Sequence, residues 1–427
     1  MLDLKLIRDE PERVRRLLAV RGPAGAVELV DQVLAADVER RELVSRVDGL
    51  RARRNEVSPQ VGHLKKEGRH VEAEPLIAAM RELGEQLAAA ESRLGEVDES
   101  LRDHLLRIPN LPEEVVPPGG EESNVQVRQW GEARSFDFEP LPHWELGERL
   151  GLLDLPRGTK VAGSGFPALV GRGARLERAL ISLMLDLHTG EHGYTEVAPP
   201  YMINEAAATG TGHLPKFGED MYQVPLDGLW LVPTAEVPLT NFHADELMAA
   251  EALPRRYVAC TPCFRREAGA HGKDTRGLLR VHQFNKVELV RFEKPADSHA
   301  ALEELTGHAE AVLRRLGLHY RVVLLAGGDL GFANAQTFDL EVWAPGVGRW
   351  LEVSSCSLYT DYQARRAGVR FRPEPNAKPE FVHTLNGSAL ALPRTLAAVL
   401  ETGQQADGSI ILPEGLAEYM GTHRIAV

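Results

Sequence analysis

Residues 264–288 read FRREAGAHGKDTRGLLRVHQFNKVE, two polar-apolar runs around a glycine-rich, basic loop. In the second run a side-chain period of two places His282, Phe284, Lys286 and Glu288 on one face of a strand, with Val281, Gln283, Asn285 and Val287 on the other. Arg265 and Glu267 likewise share a face of the first run. An antiparallel hairpin therefore brings a guanidinium, a carboxylate and a phenyl ring over one pocket, although the sequence leaves its register open. This set suits the activation of a carboxylate by ATP. Arginine bonds phosphate oxygens in pairs and stabilises the charge that builds as the α-phosphorus is attacked, while the ring offers a platform for adenine. Each residue alone better suits a solvated surface hairpin; the joint placement is what points to a nucleotide.

This segment resembles motif 2 of class II aminoacyl-tRNA synthetases, in the form found in the seryl-tRNA synthetase family. TGHLPKFGEDMY (211–222), PTAEVPLTN (233–241), TFDLEVW (337–343), LEVSSCS (351–357) and HTLNGSALALPRT (383–395) resemble that family in its own order, as does the opening MLDLKLIRDEPERVRRLL. The resemblance thus spans essentially the whole chain. It implies an α+β fold, an antiparallel sheet flanked by helices and preceded by an antiparallel helical hairpin. It also implies an activity: serine and ATP give seryl-adenylate, and the seryl group passes to the 3′ end of tRNA(Ser), with tRNA(Sec) as a further acceptor. A homodimer, with residues 195–200 at its interface, and Mg2+ belong to the same expectation.

Carried over by that resemblance, Thr234, Ala235, Glu236, Glu288 and Ser388 form the serine pocket, with Glu236 near the amino group. A carboxylate at Glu288 that accepts from the substrate hydroxyl would reject alanine by being left unpaired, whereas threonine meets only a steric filter. Arg265, Arg266, Glu267, Val281, Phe284, Glu352, Val353, Ser354, Ser355 and Arg394 are expected at ATP, with Phe284 stacking on the base. Arg265, Arg394 and Glu352 are the expected catalytic groups, and Glu352 and Ser355 the magnesium ligands. An ideal strand puts Glu352 and Ser355 on opposite faces, so a bulge or turn must lie between them. Arg394 follows Pro393, a favourable helix start, and so sits at a positive helix end. Two departures stand out: Ala389 and Pro393 occupy positions where the family commonly has glycine. The loop tip around Ala270 and His271 is expected near the tRNA acceptor end.

The elements that must position these residues are legible in part. Strand-like runs at 229–232, 257–264, 281–292, 320–325 and 337–343 alternate with helical stretches, clearest at 176–188 and 298–316. Ahead of them, Leu29, Val33, Ala36, Arg40, Leu43, Val47, Leu50, Arg54, Val57, Val61 and Leu64 alternate by four and three; Leu76, Met80, Leu83, Leu87, Ala90, Leu94, Val97, Leu101, His104 and Ile108 repeat the pattern. Two such helices around Gly68 form an antiparallel coiled coil, each roughly 50 Å long. A coiled coil is more often a spacer or dimerisation element, but Arg51, Arg53, Arg54, Lys65, Lys66 and Arg69 make the distal end locally basic. The resemblance decides for tRNA, gripped by the arm through shape and phosphates, with Arg51, Arg54, Lys65, Lys66 and Arg69 as the contacts. The prolines of IPNLP (108–112) and PPGG (117–120) end the helix, giving an RNA-binding domain at 1–110 and a catalytic domain at 111–427.

Composition agrees with this organisation without revealing it. A chain of 427 residues, 43% of them hydrophobic, is long enough for two domains. Its net charge of −13 argues against indiscriminate coating of nucleic acid, so RNA contact must be local. Residues 1–110 carry nineteen Lys and Arg against twenty-one Asp and Glu, a net −2, which leaves −11 for the remainder. With no bilayer-length apolar run and a charged amino terminus, the expected compartment is the cytoplasm and no membrane partner is expected. Cys260 and Cys263 form a C-x-x-C, but no second ligand pair stands at zinc spacing, and they read as strand cysteines. Gly163-Ser164-Gly165 lacks the third glycine of a dinucleotide loop and reads as a turn. Two other functions fit parts of this chain. A ligase loading an amino acid onto a carrier protein would lack the long arm, and a silent RNA-binding paralogue would have lost the nucleotide residues.

Overall fold

A computed structural model describes residues 1–268 and 276–426; Ala270 and His271 therefore lie outside the described residues. The chain divides into two compact units, one made of Leu2–Arg16 and Gly25–Ile108, the other of Met1, Leu17–Ala24 and Pro109–Val427. The cut between Ile108 and Pro109 falls at the expected prolines. Residues 17–24 depart from the expected division, and Arg21 is the reason. Its guanidinium is buried in the second unit and bonds the carbonyls of Asn110, Leu330, Gly331 and Asn334.

In the first unit, α1 (Leu29–Lys66) and α2 (His70–Arg107) are each 38 residues, about 57 Å long. They pair through the apolar seam: Val47, Leu50, Leu87 and Ala90 form one buried cluster, while Val57, Val61, Leu64, Leu76 and Met80 nearer the turn are half-buried. Gly68, at φ +74°, makes the reversal between the helices. Asp37 interrupts the seam pattern: it is fully buried because Arg8, from the helix Leu4–Asp9, bonds both its oxygens at 2.8 Å. The distal basic cluster is narrower than expected. Residues 51–66 of α1 carry five Lys and Arg against one Glu, but residues 70–91 of α2 carry five Glu against one Arg. Arg51 is paired with Glu91 at 2.8 Å, and Arg69 with Glu72 at 2.6 Å and Glu67 at 3.0 Å. Arg54, Lys65 and Lys66 make no ion pair among the described residues and are exposed.

The second unit is built on an eight-stranded sheet. Its strands are β1 (Val125–Trp130), β2 (Thr195–Glu196), β3 (Arg255–Phe264), β4 (Gln283–Glu293), β5 (Tyr320–Leu324), β6 (Gln336–Ala344), β7 (Arg349–Thr360) and β8 (His383–Ala391), in the order β1-β5-β6-β7-β8-β4-β3-β2. All neighbours are antiparallel except the short edge strand β2, which runs parallel to β3. One face is covered by α3 (Arg172–Gly190), α4 (Ser298–Arg315) and α5 (Leu392–Gly403), whose Leu180, Leu305 and Leu396 share a core with Leu289 and Leu340 of the strands. The antiparallel sheet with flanking helices is thus the expected class. Cys260 and Cys263, three apart on β3, point to opposite faces. No helix among the described residues is long and apolar enough to cross a membrane.

Candidate active site

The hairpin register left open by the sequence is fixed by Phe264 opposite Gln283 and by the Arg265 N–H, which donates to the His282 carbonyl at 2.9 Å. Continued outward, this pairing puts Glu267 across from Arg280, and the two form an ion pair. Glu267 holds a left-handed φ of +53°, uncommon for a side chain of its kind. The Arg265 guanidinium lies 5.3 Å from the centroid of the Phe284 ring, and its Nε donates to the Pro233 carbonyl at 3.3 Å. Arg265, Glu267, Val281, Phe284, Lys286, Glu352, Pro393 and Arg394 line one cavity of about 180 Å³. Through Arg280, Glu352 and Arg394 it opens into a groove of about 430 Å³ that adds Arg349 and Trp350. A smaller cavity with a ring and a guanidinium, leading to a groove lined by three arginines, matches a base followed by a phosphate tail.

Three expected nucleotide residues are not brought there. The Arg266 side chain turns the opposite way, its Nε donating to the Met221 carbonyl at 3.0 Å and its guanidinium lying 4.8 Å from the Tyr222 ring. It ties the hairpin to the preceding loop. Val353 is buried in the sheet core, and Ser354 is buried with its Oγ donating to the Ser388 carbonyl at 2.6 Å. The reason is the expected bulge. Leu340 faces Ser354 but Glu341 faces Glu352, so Val353 is the extra residue and Glu352 and Ser355 return to one face, opposite Glu341 and Asp339.

That face gathers oxygen atoms. Asp339 is half-buried, its Oδ1 shielded from solvent and unpartnered among the described residues. Burial, joined by the neighbouring Glu352 carboxylate, pushes its carboxyl well above the usual range, against the pull of the Ser355 hydroxyl. Arg394, near the start of α5, donates to the Glu352 carbonyl at 2.9 Å and to its Oε2 at 3.3 Å. Pro393 is in the first turn of that helix, as expected. Ala389 is buried within β8, and beside it Leu390 takes φ +117° where the ladder to β4 shifts register.

The expected serine residues converge on the far side of Lys286. Thr234 and Ala235 are buried ahead of the short helix Glu236–Thr240, the Glu236 N–H donating to Thr234 Oγ1 at 3.3 Å. Glu236 Oε1 accepts from Gln363 Nε2 at 2.7 Å, and Gln363 Oε1 accepts from Thr384 at 2.7 Å. Glu288 Oε2 accepts from Ser388 Oγ at 3.1 Å and meets Lys286 Nζ at 2.5 Å. Burial pushes both the Glu236 and the Glu288 carboxyl upward, and the Lys286 charge is the main pull the other way. Glu288 thus has two partners before any substrate arrives. Rejection of alanine through an unpaired carboxylate is correspondingly weaker than the sequence argument assumed.

Lys286 joins the two halves, since it lines the nucleotide cavity while its ammonium is held among the serine-side carboxylates. Sequence reasoning placed it on the right strand face and assigned it no role; its i, i+2 spacing from Glu288 was the available signal. Gln363 and Asp339 gave no such signal, because their partners are remote in sequence.

The amino-terminal residues 1–112 match the family model of the seryl-tRNA synthetase N-terminal domain, and residues 222–403 match that of the tRNA synthetase class II core domain (G, H, P, S and T). The chain is 54% identical over its full length to the serine–tRNA ligase of Geobacillus kaustophilus, covering all of that protein. It is 53% identical to that of Thermodesulfovibrio yellowstonii, over 99% of each chain. Among solved structures, the seryl-tRNA synthetase of Pyrococcus horikoshii complexed with ATP superposes with a TM-score of 0.93 at 39% identity, covering 100% of this chain and 99% of that one. The cytoplasmic serine-tRNA ligase of Naegleria fowleri in complex with AMP gives 0.87 at 30% identity, covering 100% and 98%. With both family models matched and full-length relatives above half identity, the chain belongs to the seryl-tRNA synthetase family of class II aminoacyl-tRNA synthetases.

Proposed function

We propose that this chain is a cytoplasmic serine–tRNA ligase. It activates serine with ATP to seryl-adenylate and transfers the seryl group to the 3′ end of tRNA(Ser), with tRNA(Sec) a second acceptor. One observation carries the reading: Lys286 bridges a nucleotide cavity walled by Arg265 and Phe284 to a buried polar pocket made by Glu236, Glu288, Thr234 and Ser388. The substrate carboxylate is ionised at neutral pH, so its attack on the α-phosphorus needs alignment and charge neutralisation more than a base. Arg265, Arg280 and Arg394 face the phosphates. Glu236 and Glu288 receive the amino group and the hydroxyl of serine.

The acidic face beside the groove fits Mg2+, which takes one or two carboxylates together with substrate phosphates. Glu352 and Ser355 would hold it, with the unpartnered Asp339 oxygen behind them, and it would neutralise phosphate charge during adenylation. The arm would hold the body of the tRNA through α1, whose Arg54, Lys65 and Lys66 are exposed. Two subunits would pair along the exposed edge strand β2, near exposed Tyr201 and Met202. Loading of a carrier protein is not favoured, because residues 1–112 form the family's amino-terminal domain.

Amino-acid-dependent exchange of pyrophosphate into ATP, run across all twenty amino acids with magnesium, tests this. Serine should drive exchange far above alanine and threonine. Equal rates with either would overturn the pocket assignment.

A further inference from the structure

A second cavity, of about 430 Å³, lies behind the nucleotide pocket and shares Leu278, Phe284 and Pro393 with it. Its remaining wall comes from the helix Leu155–Ala162, the strand Ala168–Leu169, the amino-terminal half of α3, the start of β4 and the start of α5. That wall is closely fitted: a Cβ at Gly158 would approach the Phe166 carbonyl oxygen to 2.0 Å, so only glycine lets the helix close on the strand. The volume is within the range of small-molecule sites, and the lining is mostly apolar, with Phe166, Leu169, Leu392 and Leu396.

Two charged side chains line this cavity, Arg157 and Glu177. Arg157, at the wall, is already paired with Asp154. Glu177, from α3, makes no ion pair among the described residues, and its carboxylate has the Asn285 side chain as a hydrogen-bond partner. Burial raises its carboxyl above the ordinary value. A half-buried carboxylate beside a mostly apolar lining is completed by a cation carrying its own hydrophobic body. Serine is too small and polar to fill this space, and the triphosphate of ATP has the wrong charge for it.

We infer that this cavity is a second ligand site, distinct from the nucleotide pocket, for a small aromatic amine whose ring fills the apolar lining and whose ammonium meets Glu177. Phe284 is the wall between the two sites. An occupant therefore touches the adenine platform from behind without taking the place of the nucleotide, and ATP affinity shifts when it binds.

The test uses naphthylmethylamine and its neutral analogue naphthylmethanol, titrated into the full chain by calorimetry with and without a saturating non-hydrolysable ATP analogue. The amine should bind about tenfold or more tightly than the alcohol, the scale of a hydrogen bond to a charged group, and should still bind with the nucleotide present. Glu177→Gln should erase the preference for the amine while leaving serine-dependent pyrophosphate exchange intact. Ala174→Phe should exclude both probes by filling the cavity. Full displacement of the amine by the nucleotide would place it in the adenine pocket and overturn the proposal. Equal binding of the two probes to the unmodified chain, or no binding at millimolar concentration, would overturn it as well.

Discussion

The helical hairpin and the active-site pocket spend the same residue types in opposite ways. On the hairpin, Arg51 and Glu91 are 52% and 42% exposed in their pair, and Arg69 divides itself between Glu67 and Glu72. Such pairs contribute little to stability, and Arg54, Lys65 and Lys66 beside them, exposed and in no ion pair among the described residues, offer their charge to a phosphate backbone. In the pocket, Lys286 and Glu288 are 8% and 2% exposed. A charge held there has no solvent to fall back on, and its value lies in where it points. RNA held through its shape tolerates the first arrangement; choosing one amino acid requires the second.

The sharpest way to break this contrast is to remove a positioned charge. Arg265→Ala should lower serine-dependent pyrophosphate exchange by about a hundredfold or more, the loss expected for one preorganised charge-stabilising donor. Near-normal exchange would remove Arg265 from the chemistry. Lys286→Met should raise the KM for serine and, by leaving Glu288 without its ion partner, destabilise the fold by about 3 kcal/mol in urea unfolding. Unchanged stability would mean that the pair behaves like the exposed pairs of the arm.

On the arm the expected effect is graded. Changing Arg54, Lys65 and Lys66 together to Gln should weaken tRNA(Ser) binding and flatten its salt dependence by nearly as much as changing Arg51 and Arg69 in addition, because those two are already neutralised by neighbours. Binding titrations at several salt concentrations decide this, and an equal share from all five would show that the local pairs dissolve on contact with RNA.

The smallest effect concerns protons. Burial lowers His188 to about 3 and His308 to about 4, with His192 lowered beside them. The unfolded chain takes up these protons below about pH 6.5 and the folded chain does not, so this part of the stability is whole above that value and is lost as pH falls toward 4. The raised carboxyls of Glu236 and Glu288 act with the opposite sign, since the folded state binds their protons first. Comparing urea midpoints of the unmodified chain and of His188→Gln at about pH 7.5 and about pH 5 isolates the histidine share. The variant should lose less on acidification; an equal loss would dismiss it.

The two regions also differed in how far they could be read from sequence. Both helices of the arm were legible because a four-three repeat is a local signal, and its end at Ile108 was marked by proline. Asp37 broke the pattern because its partner, Arg8, comes from an earlier helix. In the pocket, alternation put Arg265, Phe284 and Glu288 on usable faces, and the incompatible parity of Glu352 and Ser355 announced the bulge at Val353. The fate of Arg266 and Ser354 was not legible, since their partners, Met221 and Ser388, are set by tertiary pairing. Nor could periodicity show that Glu288 would already be paired with Ser388, a hundred residues on.

Replacing residues 29–108 by a short flexible linker tests the central claim most directly, because α1 and α2 bury their apolar seams against each other. The shortened enzyme is assayed twice, for serine-dependent pyrophosphate exchange and for charging of tRNA(Ser). Exchange should persist at the level of the intact chain while charging falls severely. An armless enzyme that charges tRNA(Ser) as well as the intact one would contradict the division of labour between positioned charge in the pocket and exposed charge on the arm.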